Sequence, residues 1–464
     1  MGESRREFLK TSAKGAAGLA VVERLSAFAV SSRTPGANDR VRVAICGLHG
    51  RGQDHIKGYS SLRNVEIAAL CDVDEGVLRQ SMAELGRTGG QPKPYVDVRK
   101  LLDDKSIDAV SIATPNHWHS LMAIWACQAG KDVYVEKPCS HNLWEGRQLV
   151  RAAQKYGRMV QHGTQSRSLP PVMEAVSNIR EGLLGDVYLS RGLCYRWRDT
   201  IGRAPVQPVP AGVDYDLWTG PAQLKPFTRN HFHYNWHWFW DYGNGDVGNQ
   251  GVHQMDIARW GLGLRFPNKI SAVGGHFMFE DDQQTPNTLN CAFEYDLPDG
   301  KRAMLEFEVR HWISNHEAMI GTASEAVDST ELHPQLGPNA GSHNTVGNIF
   351  YGSNGYLAIS DSGYRTWLGK EQQPGPGAAE GEEDHFANFV SCVISRKKED
   401  LRAPIEEGHI SAGLIHLANA SYRLGRTLVF DPGSEQVKGD DQANYLLCDG
   451  DRGYRPPFVV PEQV

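Results

Sequence analysis

Lys137 stands between Glu136 and Pro138, directly after the apolar run Asp132 to Val135, and downstream of a glycine-rich turn, Gly47-Leu48-His49-Gly50-Arg51-Gly52. A lysine held beside a nucleotide can stabilise the negative charge that grows on a hydroxyl oxygen while its carbon gives up hydride. The two motifs together point to redox chemistry on a hydroxyl group. The turn follows Val41-Arg42-Val43-Ala44-Ile45-Cys46, an apolar run of strand length, and precedes an expected helix. Gly47, Gly50 and Gly52 permit a tight bend and let a pyrophosphate approach free amides at the positive end of the helix dipole. Their spacing, G-x-x-G-x-G, departs from the usual G-x-G-x-x-G. A second apolar run, Val65 to Cys71, ends in Asp72, where an acid can bind a ribose 2′-hydroxyl and repel a 2′-phosphate. NAD is the expected cofactor and NADP the alternative. Asp72 or Asp74 could instead cap the following helix.

The elements around these residues decide whether they meet. Leu101 to Asp104 reads as a helix end and Ile107 to Ala113 as a strand, leading into Thr114-Pro115-Asn116-His117-Trp118-His119 and a helix that stops at Gly130. The strand from Asp132 to Glu136 then delivers Lys137 at its carboxyl end. Ligands of open α/β sheets bind outside those ends, which brings Thr114, Asn116 and Lys137 together. The cofactor-binding set is Gly47, Gly50, Gly52, Asp72, Thr114, Pro115, Asn116, His119, Glu136 and Lys137. After Ala152, the runs Val187 to Cys194, Lys269 to Phe279, Leu289 to Tyr295 and Arg302 to Arg310 fit a large sheet, with turns such as Leu297-Pro298-Asp299-Gly300 between them. Glu383 to Ser395 and Glu406 to Leu424 show helical periodicity and are placed to pack back across the domain junction.

With 464 residues, 40% of them hydrophobic, and no apolar run near the length of a membrane span, the chain is expected to be soluble, with two or three domains. A formal charge of −7 leaves no basic footprint for nucleic acid. The eight cysteines lack a C-x-x-C pair and read as buried reduced thiols. Asn230 to Tyr242 is dense in aromatic and imidazole groups, which stack on sugar rings and bind their hydroxyls. Trp236, His237 and Trp238 are the candidate substrate contacts; a packed aromatic core is the other reading. His231, His233 and His237 have no supporting cysteine pair or H-E-x-x-H pattern, so no metal site is assigned. At the N-terminus, Ser4-Arg5-Arg6-Glu7-Phe8-Leu9-Lys10 matches the twin-arginine export pattern and precedes the small and apolar stretch Gly15 to Val22. Ala27-Phe28-Ala29 has the form of a signal peptidase site, so residues 1–29 are expected to be a signal peptide and the protein to be periplasmic or otherwise exported.

Five segments carry a family resemblance: the Gly47 to Gly52 turn, Cys71-Asp72-Val73-Asp74, Ala113 to His119, Glu136-Lys137-Pro138, and Gly248-Asn249-Gln250-Gly251-Val252-His253-Gln254-Met255-Asp256. In that order they resemble the glucose-fructose oxidoreductase, inositol dehydrogenase and MocA (Gfo/Idh/MocA) family. The resemblance implies an α/β fold: an N-terminal Rossmann dinucleotide-binding domain, 40–163, then an α+β substrate domain with a large, mostly antiparallel open sheet, 164–464. It also implies that Lys137 faces the substrate, that Pro138 is cis and that the helix carrying His253 borders the site. Asn249 and His253, four residues apart, would share a helical face. The family commonly has aspartate at the first of these positions; an amide can orient an imidazole but cannot take its proton, and Asp246 is a nearby substitute. The expected mechanism uses Lys137 to stabilise the alkoxide and His253 as general base, with Asn249 beside it. The substrate implied is a sugar, polyol or glycoside. Alternatives are a glycosidase that oxidises transiently with retained NAD, as glycoside hydrolase family 109 does, and a non-catalytic carbohydrate- or nucleotide-binding protein. The characteristic histidine segment of family 109 is not seen near residue 250. Expected partners are the carbohydrate and further copies of the chain in a homo-oligomer.

Changing Arg5 and Arg6 together to lysine should hold the protein in the cytoplasm, because the export receptor reads the guanidinium pair and not charge alone. Fractionation that finds an unchanged periplasmic yield would remove the twin-arginine reading.

Overall fold

Short apolar strands separated by helices pair in parallel through crossovers, and the first part of the described chain does so. The structure, a computed structural model, describes residues 40–321, 344–360, 363–379, 381, 384–448 and 452–464; the expected export signal, 1–29, lies outside the described residues. Strands β1 (Val41–Cys46), β2 (Val65–Cys71), β3 (Lys93–Tyr95), β4 (Ala109–Ile112), β5 (Asp132–Val135) and β6 (Val160–His162) form a six-stranded parallel sheet in the order β3-β2-β1-β4-β5-β6. All residues of β4, β5 and β6 are buried, as strands covered on both faces require. The order reverses between β1 and β4, and ligands bind in the crevice at such a switch point. The Ala113 amide donates to the Cys46 carbonyl (2.8 Å) and the Glu136 amide to that of Ile112 (2.9 Å), which keeps the strand exits aligned there. Helices α1 (Arg51–Ser60) and α2 (Glu75–Arg87) cover one face; α3 (Val98–Leu102), α4 (Asn116–Gln128) and α5 (Leu143–Lys155) cover the other.

After α6 (Pro170–Arg180) the pairing becomes mostly antiparallel. An 11-stranded sheet contains β7 (Val187–Tyr195), β8 (Lys269–Gly275), β9 (Thr288–Asp296), β10 (Arg302–Arg310), β11 (Thr345–Gly352), β12 (Gly355–Ser360), β13 (Gly363–Leu368), β14 (Gln373–Pro374), β15 (Ala378–Ala379), β16 (Leu428–Asp431) and β17 (Gln436–Val437). β10 runs parallel to β7 and antiparallel to β9. Helices α7 (Tyr215–Thr219), α8 (Gly245–Asn249) and α9 (Gly251–Leu262) lie between β7 and β8 in the chain, and α10 (His385–Ser395), α11 (Ile405–Leu424) and α12 (Asp441–Leu447) follow the sheet strands up to β15. Along β10, alternate residues are buried, and Leu305, Phe307 and Val309 join α9 and α11 in one core. The strand expected over Lys269 to Phe279 stops at Gly275, where Gly274 and Gly275 offer no side chains to pack. The imidazole of His276 then turns back to the Thr285 carbonyl at 2.7 Å. Strands β11 to β15 were not among the expected runs: β11 has Gly347 inside it, β12 and β13 each begin at a glycine, and β14 and β15 are two residues each.

The two last long helices join the domains. α10 presents Phe386, Phe389, Val390 and Val393 at helical spacing to the core of the parallel sheet. Phe386 lies 4.8 Å from the ring centroids of both Tyr59 and Tyr134. The right-handed crossovers that put α4 and α5 on the opposite face leave this part of the sheet to be covered by a returning helix. α11 contributes Ile405 and Ala412 to the Rossmann core and Ile410, Leu414 and Leu417 to the core of the large sheet. The expected boundary at residue 163 is thus a boundary of chain order; in packing, the C-terminal helices complete the N-terminal domain. Phe389→Ala should destabilise the protein by about 3–5 kcal/mol through the cavity it leaves under β1 to β5. Chemical denaturation should also show nucleotide-domain and sheet signals lost in one transition.

Candidate active site

The turn after β1 is shaped by what cannot fit there. Gly47 has φ 83°, and a Cβ on it would stand 2.6 Å from the Ala113 carbonyl oxygen; one on Gly52 would stand 2.0 Å from that of Gly47. Gly50 meets open space instead, at the start of α1, where no side chain caps the helix. Uncapped amides beside open space are a receptor for an anionic phosphate. Asp72 directs one carboxylate oxygen to the Leu48 amide (2.7 Å) and the other to the Asp74 amide (2.9 Å), so it ties the glycine turn to its own loop after β2. Burial pushes its pKa up. Capping of α2 belongs to Asp74, which accepts from the Gly76 and Val77 amides.

A cleft of about 470 Å³ runs from this turn to the second domain. Gly47, Gly50, Asp72, Thr114, Pro115, Asn116, His119, Glu136 and Lys137 line it from the Rossmann side, and Trp236, His237 and Asn249 from the other. Gly52, Trp238 and His253 of the expected set are not on its wall. Gly52 is buried behind the turn; Trp238 is buried in an aromatic cluster with Arg198 stacked 5.1 Å from its ring. Trp236 belongs to the same cluster, so the aromatic segment is both a packed core and a cleft wall. Among the described residues, Thr114 Oγ1 and Asn116 Oδ1 are buried without a hydrogen-bond partner, which leaves them for a ligand. His119 instead bridges two loops, with its ring nitrogens 2.6 Å from the Pro138 carbonyl and 2.7 Å from that of Thr114. These features fit a dinucleotide: an open anion-binding turn, orphaned polar groups along the groove and a lysine at its far end.

Lys137, with a cis peptide to Pro138, donates from Nζ to the Asn249 carbonyl at 2.6 Å. Burial brings its pKa down to about 8, against the pull of Glu136 and Asp246. Both carboxylates are already paired. Glu136 accepts from Arg51 Nε (2.8 Å) and faces His55 Nε2 (3.1 Å). Asp246 accepts two bonds from Arg198 (2.7 and 3.0 Å), one from Asn249 Nδ2 (3.1 Å), and contacts His311 Nε2 at 2.6 Å. Burial would raise both acids, but Arg51 and His55 in one case, and Arg198 and His311 in the other, hold them well below the usual carboxylate range. Asn249 and His253 do not share one continuous helix: α8 ends at Asn249 and α9 begins at Gly251, with Gln250 between them. His253 lies near Lys137; burial and that cation lower its pKa to about 3. His237 is lowered to about 3, chiefly by burial, and places Nδ1 2.6 Å from the Tyr234 carbonyl. That contact makes Nδ1 the donor and leaves Nε2 as an acceptor.

Arg51, His55, Arg198 and His311 were not among the residues expected at the site. Arg51 and His55 are four apart on α1 and share its inward face, a signal within reach of the sequence. Arg198 and His311 follow β7 and β10, adjacent parallel strands far apart in the chain, and no local pattern announces them.

Strand order, turn and lysine are together those of a Rossmann oxidoreductase. The chain belongs to the Gfo/Idh/MocA oxidoreductase family: residues 41–164 match its NAD-binding Rossmann fold, and residues 172–309 and 377–457 its C-terminal alpha/beta domain. NAD is accordingly its cofactor. Among curated relatives, a glycosyl hydrolase family 109 protein of Shewanella pealeana is 35% identical over 205 residues, 40% of this chain and 44% of the relative. One from Shewanella baltica is 33% identical over the same length. The match spans less than half of these relatives. Two solved structures share the fold. One is an aldose-aldose oxidoreductase from Caulobacter crescentus complexed with glycerol (TM-score 0.60, 19% identity, 84% of this chain and 100% of that one). The other is the WlbA dehydrogenase from Bordetella pertussis in complex with NADH and UDP-GlcNAcA (TM-score 0.59, 17%, 84% and 99%).

Asp72→Ala should lower thermal stability and NAD affinity together, since it removes charge-assisted bonds of about 1.5–3 kcal/mol that tie the glycine turn to the loop after β2. Loss of NAD with an unchanged melting temperature would instead make Asp72 a direct ribose ligand.

Proposed function

We propose that the protein is an exported NAD-dependent oxidoreductase acting on a hydroxyl group of a sugar, polyol or glycoside. The observation that carries the reading is the Lys137 ammonium, fixed between the domains at the end of the nucleotide cleft and facing no unpaired anion. When bound, NAD supplies a two-electron hydride acceptor. The chain's own residues manage the proton and the charge. Lys137 donates to the substrate oxygen and favours its alkoxide form. His253, beside Lys137 but off the wall of the nucleotide cleft, would take the hydroxyl proton of a substrate that reaches past the lysine. In the resting site the Lys137 cation disfavours a second cation on His253; a developing alkoxide between them offsets that repulsion, so proton acceptance is coupled to charge build-up on the substrate. His237 Nε2 accepts from a neighbouring substrate hydroxyl, and Trp236 offers an apolar ring for a sugar face. Export rests on the Arg5-Arg6 pattern and the apolar stretch after it.

A second reading, an NAD-dependent glycosidase that oxidises transiently and retains its cofactor, draws support from the family 109 relatives. Both readings use the same lysine and separate by product. Purified protein should release NAD on denaturation, and a screen of sugars and glycosides should show nicotinamide reduction for the first and aglycone release for the second. Protein that holds no nucleotide and turns over nothing in either assay defeats both.

Lys137→Ala should lower turnover by roughly 10²–10³-fold with nucleotide content unchanged. His253→Ala should cost about 10²–10⁴-fold. Because the pKa of Lys137 is lowered to about 8, its cation is lost as pH rises through that value. The kcat/KM for oxidation should therefore fall on the alkaline side with a midpoint near 8, and the limb should vanish in Lys137→Ala. An unchanged alkaline limb in that variant assigns it to another group.

A further inference from the structure

We infer that the C-terminal segment, residues 452–464, braces the nucleotide site from behind, with Arg455 and Phe458 as positioning residues for NAD although neither is on the cleft wall. The part of the wall they support is the part farthest from Lys137. It includes Val73, Val96 and Val98, which follow β2 and β3 on the outer side of the parallel sheet, with Trp118 of α4 and Leu217 and Trp218 of α7.

A helix of five residues, as α7 is, does not hold itself in place. Its entry is tied to the loop after β2 by two main-chain bonds, from the Asp214 amide to the Val73 carbonyl (2.9 Å) and from the Glu75 amide to that of Gly212 (3.0 Å). Its other end is held by Arg455. The guanidinium donates from Nη1 to Asp216 Oδ1 (2.6 Å), from Nη2 to the Asp216 carbonyl (2.8 Å), and from Nε to the carbonyls of Gly220 (3.2 Å) and Ala222 (3.3 Å). The Arg455 amide donates to the Pro221 carbonyl at 3.1 Å. Most of these acceptors are main-chain carbonyls, so the grip is on the backbone of α7 and the turn after it. The same guanidinium stacks 5.0 Å from the Phe458 ring, and Arg99 of α3 lies 5.2 Å from it. Phe458 is buried edge-on against Trp118, with 5.4 Å between ring centroids, and Trp118 Nε1 donates to the carbonyls of Leu217 (3.0 Å) and Trp218 (3.1 Å). Gln148 of α5 fixes the segment further along, donating to the carbonyls of Pro461 (2.7 Å) and Glu462 (2.6 Å), and Val460 enters the Rossmann core. Cleft wall, indole, Phe458 and Arg455 form one closed circuit of contacts anchored on α5. A wall that is ordered before its ligand arrives spares the binding step that cost.

The test is calorimetry of NAD and of ADP-ribose on full-length protein freed of nucleotide. Arg455→Ala and Phe458→Ala should each weaken both ligands by the same factor, roughly tenfold, because Leu217 and Trp218 must then be ordered as the ligand binds, at about 2–10-fold each. Equal loss for the two ligands places the defect away from the nicotinamide, which ADP-ribose lacks. Arg455→Lys keeps a charge for Asp216 but not the fork that reaches the carbonyls, and should recover only part of the affinity. Asp216→Asn, at a side chain 57% exposed, keeps the main-chain grip and the fold, and should show a smaller loss of the same kind. Parental affinity for both ligands in a folded Arg455→Ala protein overturns the inference, as does a loss for NAD with ADP-ribose unchanged. If Arg455→Ala does not fold, Arg455→Lys and Asp216→Asn decide by the same comparison. The inference rests on NAD as the cofactor and is read without substrate or turnover, so its failure is distinct from failure of the oxidoreductase reading.

Discussion

The Lys137 ammonium is free of any ion pair because the two carboxylates beside it are already neutralised. Glu136 and Asp246 are each buried and each bound to an arginine and an imidazole, so neither is left to form an ion pair with the ammonium. Leaving either acid unpaired would cost about 3–5 kcal/mol, and a lone carboxylate would fasten on Lys137. The lysine is held instead by a neutral carbonyl, from Asn249. Its charge is left without a carboxylate partner at the cleft, where burial strengthens its field by excluding water.

The second requirement is that both domains hold still. Lys137 and Glu136 belong to the parallel sheet, whereas Asn249, Asp246 and Arg198 belong to the domain of the large sheet. A shift of an ångström between them would break the 2.6 Å contact that positions the ammonium. Helix α11 contributes to both cores, and α10 fills one face of the Rossmann sheet, so the domains share buried surface. Arg167, from the segment after β6, adds a buried bidentate pair with Asp256 on α9 (2.7 and 2.8 Å), another tie through the same junction.

Local signals made part of this legible in the sequence. The β1 turn, the exits of β4 and β5, and the Glu136-Lys137-Pro138 motif are contiguous, and strand periodicity places them at one end of a sheet. The groups that tune the lysine were harder to see, because Arg198 and His311 meet Asp246 only through the pairing of β7 with β10. Histidine density singles out 231, 233 and 237, all within one segment. Among the described residues, His233 is the one of the three that gathers with other such side chains, and its companions stand at 49 and 74 in the other domain. Spacing within a segment cannot report a cluster assembled by the domain junction. The same limit hid the role of α10, whose apolar stripe was visible but whose partner sheet was not.

The asparagine at 249 follows from these constraints. In a site whose charged acid stood at that position, a carboxylate would serve the lysine or the histidine directly. Here Asp246, one turn earlier on α8, is the charged member, and its Oδ1 accepts both Arg198 and the Asn249 amide. A second carboxylate at 249 would lose that donated bond and set two like charges about 3 Å apart, which raises the pKa of one of them. The amide avoids the conflict: its nitrogen donates to Asp246, while its main-chain carbonyl, exposed by the break between α8 and α9, accepts from Lys137. The departure from the family's usual residue and the interruption of the helix are thus two parts of one arrangement, in which charge has moved to Asp246 and position 249 supplies only dipoles.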